Sequence, residues 1–266
     1  MKDGVDDPEN YVFNGWSPSP NGITGTTSCY AQYNYTGLVE TITDDWATIL
    51  ANISNGTYAT KYAVGDTKTL NLGTEGTVTM QIVAMDTDVK ADGTGTAPIT
   101  WVSEYLLKTS HRMNPARVAN DDGTYQEGTG GIGGWEKSEM RTYLTEIIKP
   151  LIPEEVRNAI VPVTKYSRNY NTAGSSVNNV ATTDDVWIPS YREIFGGTSY
   201  ETQGVIYSEK FTDATSRIKQ KVGGSATHWW LRSAYHTSNF SRVYSDGNYD
   251  HNGASYSSGV ALGFCT

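Results

Sequence analysis

Few residues in this chain have the type and spacing to do chemistry. Asp86-Thr87-Asp88 with Asp92-Gly93 resembles part of a calcium loop, because hard cations require clustered carboxylate oxygens. The spacing is wrong for an EF-hand, so a polar turn after a strand is expected. His111 beside Arg112 has an acid–base group but no paired nucleophile, and a structural histidine is the reading. His236 and His251 make no metal-ligand spacing with a cysteine. Gly130-Gly131-Ile132-Gly133-Gly134 lacks the strand, helix and lysine of a phosphate loop and reads as a flexible loop. Cys29 and Cys265 lie near opposite ends. One disulfide is possible, and two separate buried thiols are preferred. No convergent acid, base and nucleophile can be assembled. The sequence therefore assigns no catalytic residue, no metal ligand and no cofactor, and the chain reads as not an enzyme.

The elements that would position these residues follow from periodicity. Trp46, Ile49, Leu50 and Ile53 share a helical face, with Asp44 as the expected N-cap and Asn55-Gly56 as the stop. Strands are expected at Thr69–Leu72 and Thr77–Met85, and Ile99–Leu107 is a strand or a short helix. Residues 119–134 read as a long surface loop. Met140, Tyr143, Leu144, Ile147 and Ile148 have helical spacing after an N-cap at Ser138, with Pro150 ending the helix. Pro153 opens a second short helix through Ile160. Residues 168–184 read as another polar loop, and Val186-Trp187-Ile188 as a short strand entering a helical turn at Tyr191–Phe195.

The chain has 266 residues, 18 of them Tyr and 27 Gly, with 11% aromatic and 18% charged residues. That is a loop-rich, strand-containing domain, not a disordered chain or helical bundle. A net charge of -9 with no basic run argues against nucleic acid and anionic membrane as partners. No apolar run is long enough to span a bilayer, so no membrane insertion is expected. No signal peptide follows Met1, and the native chain is expected to extend further N-terminally.

From Ser233 to Thr266 the composition changes. Tyr, Ser, Asn, His and Asp dominate, and Lys, Glu, Gln, Met and Trp are absent. At upstream usage a gap of that length has a chance of roughly one in a thousand. Solvated surfaces are ordinarily rich in Lys and Glu. Tyr with Ser and Asn is instead the mixture of antibody paratopes: large contact area at low entropy cost beside adaptable hydrogen bonds. Randomising the adenines of AAY codons yields these residues and excludes the five missing ones. The positions that would vary, and face a ligand, are Tyr235, His236, Thr237, Ser238, Asn239, Ser241, Arg242, Tyr244, Ser245, Asn248, Tyr249, Asp250, His251, Asn252, Ser255, Tyr256, Ser257 and Ser258. Phe240, Val243, Gly247 and Ala254 would be scaffold, and Asp246-Gly247 is a hairpin turn signal. Since Phe240 and Val243 are an odd number apart, burying both calls for a bulge or an irregular loop between them.

The chain resembles variable proteins of diversity-generating retroelements, in the branch found in gut bacteria and their phages. Trp187-Ile188-Pro189-Ser190, Trp229-Trp230-Leu231-Arg232-Ser233, Asp246-Gly247 and Gly259-Val260-Ala261 carry the resemblance, with Gly65-Asp66-Thr67 and Trp135-Glu136-Lys137-Ser138-Glu139-Met140-Arg141. It implies an α+β, C-type-lectin-like fold of the formylglycine-generating-enzyme-like branch over residues 42–266, with a variable segment at about 233–260. The reactive cysteine pair of formylglycine-generating enzymes is missing, as are the calcium-lectin triplets Glu-Pro-Asn, Gln-Pro-Asp and Trp-Asn-Asp. Residues 1–38 resemble part of an internalin-type β-repeat, a stalk module. The resemblance implies a receptor-binding protein of a phage tail or of a bacterial surface, secreted or displayed, whose partner is a host cell-surface protein or glycan. A non-diversified adhesin or carbohydrate-binding module of the same fold is the alternative. The sequence leaves the oligomeric state open.

Overall fold

A computed structural model of the chain describes residues 11–17, 30–35 and 40–266. The chain divides into two compact units, Met1–Glu40 and Thr41–Thr266. In the first, β1 (Tyr11–Ser17) and β2 (Tyr30–Tyr35) pair antiparallel. Cys29 lies outside the described residues.

The second unit is mixed α and β, mostly strands with a few short helices. Its central sheet is antiparallel, in the order β3 (Thr67–Asn71), β4 (Thr77–Met85), β5 (Ile99–Ser103), β14 (Gly263–Cys265), β9 (Val186–Trp187). The clean alternation of Val78, Met80 and Ile82 places them in the core, and β4 has the expected bounds. The C-terminus closes the sheet, since Gly263 lies between Val102 and Trp187. A small pair, β6 (His111–Arg112) with β13 (Ser257–Ser258), ties the C-terminal segment to the middle of the chain.

Helix α1 (Trp46–Ser54) buries Trp46 and Ile49. Its N-cap is Asp45, whose Oδ1 accepts from the Thr48 amide at 2.8 Å; Asp44 instead accepts from the Tyr62 hydroxyl. Ser138 caps α2 (Glu139–Tyr143) as expected, and Met140, Leu144 and Ile148 pack inward. Pro150 does not stop that helix. The chain widens into a π turn over Leu144–Ile148, and Pro150 sits inside the tight last turn, Lys149–Leu151. Helix α3 spans Glu154–Asn158.

The expected polar loop at 168–184 is instead most of a hairpin. β7 (Val163–Tyr170) pairs with β8 (Ser176–Asp184) through a turn in which Asn171 Oδ1 accepts from the Ser175 amide. The outer strand is polar because most of it faces solvent, which hides the alternation.

Four buried charges cross-link this unit. Lys165 Nζ donates to Asp88 Oδ1 at 2.5 Å, Glu193 Oε1 at 3.1 Å and the Tyr207 hydroxyl at 2.8 Å. Arg232 grips Glu193 with two bonds of 2.7 Å and also donates to the Ile188 carbonyl. All four side chains are at most 2% exposed. Burial alone would raise the Glu193 pKa, but Arg232 and Lys165 hold it down at about 2. The Ser190 amide supports the same carboxylate within the capping box of α4 (Tyr191–Phe195). Trp135 and Arg141 converge likewise on Asp184.

Lys219 is buried with no carboxylate on it, donating to the carbonyls of Ser103 and Glu104. Desolvation, reinforced by Lys210, brings its pKa down to about 7.

Arg232→Met leaves Glu193 undercompensated and should cost about 3–5 kcal/mol in urea unfolding. Arg242→Met, which breaks the more exposed pair with Asp250, should cost about 1 kcal/mol or less. For Lys219 the folded-state pKa of about 7 lies below the unfolded value. The unfolded chain then binds the extra proton between the two values, so stability rises with pH from neutrality upward. Lys219→Met should remove that rise, seen as a flatter dependence of unfolding free energy on pH.

Candidate functional site

The residues singled out near the C-terminus fall on and around a three-stranded sheet, β10 (Trp229–His236), β11 (Asn239–Val243) and β12 (Tyr249–Gly253). Residues directly opposite in an antiparallel ladder share a face. Trp229, Val243 and Tyr249 therefore share one face with the pair Ser241–His251. Trp230, Arg242 and Asp250 share the other with Ala234, Phe240 and Asn252. Phe240 and Val243 are both fully buried, on opposite faces. The bulge expected between them does not occur: β11 and β12 pair in regular register, and the shifts fall in β10, on either side of Ala234. Both faces are covered, and the two tryptophans mark this, with Trp229 donating to the Arg217 carbonyl and Trp230 to that of His111. Arg217 ends the one-turn α5 (Ala214–Arg217) and bonds the Gly247 carbonyl. Gly247 takes φ 82° in the tight turn between β11 and β12, which accounts for glycine there.

The turn joining β10 and β11 rests on glycines. The Gly131 amide donates to the Thr237 carbonyl at 2.9 Å. A methyl group on Gly131 would stand 2.1 Å from the His236 oxygen, and one on Gly130 2.4 Å from that of Thr237. The end of the 119–134 stretch is therefore not the flexible surface loop that its composition suggests. Thr129–Ile132 and Gly134 are buried, with the main chain pressed against the turn.

Around this frame the rings gather. Tyr235 stacks on His251 with centroids 3.7 Å apart and planes at 9°. The hydroxyls of Tyr249 and Tyr200 lie 2.8 Å apart, and Tyr191 and Phe195 meet Tyr249 edge-on. Burial raises the pKa of both Tyr200 and Tyr249, keeping both phenols protonated. Tyr170 donates to the Tyr235 carbonyl at 2.9 Å. Tyr170, Tyr191, Phe195, Tyr200 and Arg168 were not singled out from the sequence. They lie more than thirty positions upstream, and only the fold brings them here.

The expected contact residues divide by exposure. His236, Tyr244, Asn248, Ser255, Tyr256 and Ser257 are exposed. Tyr235, Ser238, Asn239, Arg242, Ser245, Tyr249, Asp250, His251 and Asn252 are half-buried. Three depart from expectation: Thr237, Ser241 and Ser258 are buried, at most 6% exposed. Thr237 lies under Arg117, which bonds its hydroxyl; Ser241 is enclosed in the middle strand; Ser258 pairs with His111. Nor do the four tyrosines form one cluster. Tyr235 and Tyr249 share ring contacts, whereas Tyr244 packs on His228 and Tyr256 over Gly253.

The remaining chemical groups are otherwise engaged. Asp86 accepts from Tyr58, Asp88 pairs with Lys165, and Asp92 caps the turn at Thr94. His111 stacks on Tyr143 beside Glu139. Cys265 is a free, buried thiol whose pKa burial pushes up, which makes it inert. A cleft of about 380 Å³ lined by Val64, Met85, Ile206, Tyr207 and Glu209, among others, shares no residue with the ring cluster. Among the described residues no helix is long and apolar enough to cross a membrane.

The model of a family described as a domain of unknown function, DUF6273, matches residues 102–265, and the chain belongs to that family. The match starts within β5 and takes in the buried charges from Lys165 to Arg232 and the whole ring cluster. No curated protein and no solved structure matches the chain.

Chelation should leave the melting temperature unchanged, because Asp86, Asp88 and Asp92 are each committed elsewhere; a fall of several degrees would reveal a bound ion. Gly131→Ala should destabilise by about 1–3 kcal/mol through overpacking, with the largest amide shifts at Thr237 and Ser238.

Proposed function

We propose that this chain is a non-enzymatic binding protein with a C-type-lectin-like fold, which displays diversified residues of its C-terminal segment to a host cell-surface protein or glycan. On this reading it belongs to a phage tail or to a bacterial surface, with residues 1–38 as a stalk module. The supporting observation is the split within a single segment. Trp229, Trp230, Leu231, Phe240, Val243 and Ala254 are at most 1% exposed, while Tyr235, His236, Ser238, Asn239, Tyr244, Ser245, Asn248, Tyr249, His251 and Asn252 between them are open or half-open. A fixed frame carrying changeable, aromatic-rich positions is what recognition of varied ligands needs. The missing Lys, Glu, Gln, Met and Trp after Ser233 support diversification at adenines over a static adhesin.

The test is a library. Simultaneous changes at Tyr244, Asn248, Ser255 and Tyr256 should each shift stability by about 0.5 kcal/mol or less. Trp230→Ala or Leu231→Ala should cost on the order of 2–5 kcal/mol. Changes at Tyr235, Tyr249 and His251 should alter which cell-surface ligands are captured. Equal destabilisation by the exposed and core sets would refute the display reading.

A further inference from the structure

Arg168 lies at the edge of the ring cluster, on β7 and outside the C-terminal segment. Its guanidinium carbon is 5.1 Å from the ring centres of both Tyr170 and Tyr200, close enough for cation–π attraction. Nη2 bonds the Tyr170 hydroxyl at 2.5 Å, and that hydroxyl donates to the Tyr235 carbonyl. Tyr200 in turn joins Tyr249. The guanidinium is thus fixed to the frame that holds Tyr235 and Tyr249.

This cation has no counter-ion among the described residues. None of the ion pairs includes it. Glu201 accepts from the Arg168 main-chain amide, not from its side chain, and Nε is enclosed with no partner. Arg117, over Tyr125 and bonded to Thr237 in the β10–β11 turn, is a second guanidinium without a carboxylate partner.

We infer that Arg168 is a fixed anion-binding corner of this surface, and that the ligands it holds are acidic saccharides, whose ring carboxylate accepts from the guanidinium. The inference rests on the binding reading above. A planar fork held between rings suits a carboxylate better than a mobile lysine would. The half-open stacked pair Tyr235–His251 and the exposed His236 offer ring surface to sugar C–H groups, and Ser238 and Asn239 offer partners for ring hydroxyls. One anchored guanidinium amid neutral donors fits one carboxylate among hydroxyls, not a run of acidic side chains.

The test uses the full chain and calorimetric titration with three probes: a short oligosaccharide of glucuronic acid, the same oligosaccharide with its carboxyls reduced, and a glutamate-rich peptide. The acidic sugar should bind at least about tenfold more tightly than its reduced form. Arg168→Gln should abolish that preference, and Arg168→Lys should retain part of it with an unchanged melting temperature. If the Gln variant does not fold, the Lys variant decides, and an undiminished preference overturns the inference. Equal binding of the two sugars, tighter binding of the peptide, or no binding of the acidic sugar at millimolar concentration also overturns it. Tyr235→Ser and His251→Asn separate the two readings. A preference that follows Arg168 but ignores both changes sinks the C-terminal surface as the site and leaves Arg168 standing. Binding that follows Tyr235 and His251 but ignores Arg168 does the reverse.

Discussion

The ion pairs of Asp88, Lys165, Glu193 and Arg232 are the constraint on which the large unit depends. Each charge comes from a different part of the chain: the turn after β4, the strand β7, the helix α4 and the strand β10. Removing four charges from water costs several kcal/mol per ion unless every partner is in place. The carboxylates and cations therefore compensate one another only when all four elements have docked. Glu193 is the pivot, because it also closes the capping box of α4 and so fixes where that helix starts. From there Tyr191 and Phe195 reach Tyr249, and the Tyr191 amide bonds Ser233 on β10. The buried charges and the ring cluster are two sides of one joint.

Elements with strong local signals were legible in the sequence. Thr77–Met85 alternates over its whole length, Ser138 sits where a cap is needed, and Trp229–Leu231 is apolar enough to be core. The second hairpin was not legible. Ser176–Asp184 earns its place through backbone pairing with β7, and its exposed polar side chains give no period to read. The glycines at 130–134 misled for a related reason. A hydropathy pattern registers side chains, and Gly130, Gly131 and Gly134 are buried by their lack of one.

The candidate site was legible as a composition and illegible as a place. Tyr235, Tyr249 and His251 stood out because their segment departs from ordinary surface usage. Their neighbours Arg168, Tyr170, Tyr191 and Tyr200 lie far upstream, and no spacing rule joins them. Faces were also misjudged. Burial of Phe240 and Val243 on opposite sides needs only a sheet covered twice, and a regular strand then suffices where a bulge was expected.

The turn between β10 and β11 is gripped through its carbonyls, and the same holds nearby. Gly131 donates to Thr237, Tyr170 to the carbonyl of Tyr235, and the amides of Ala254 and Tyr244 to the carbonyls of Ser238 and Asn248. In each bond the segment itself takes part through its peptide group, which every residue carries. The loop's path is thus written in a part of the chain that mutation does not alter, and its chemistry can drift without redrawing its outline. Proline alone, having no amide hydrogen, would tear the weave at Tyr244 or within the ladder.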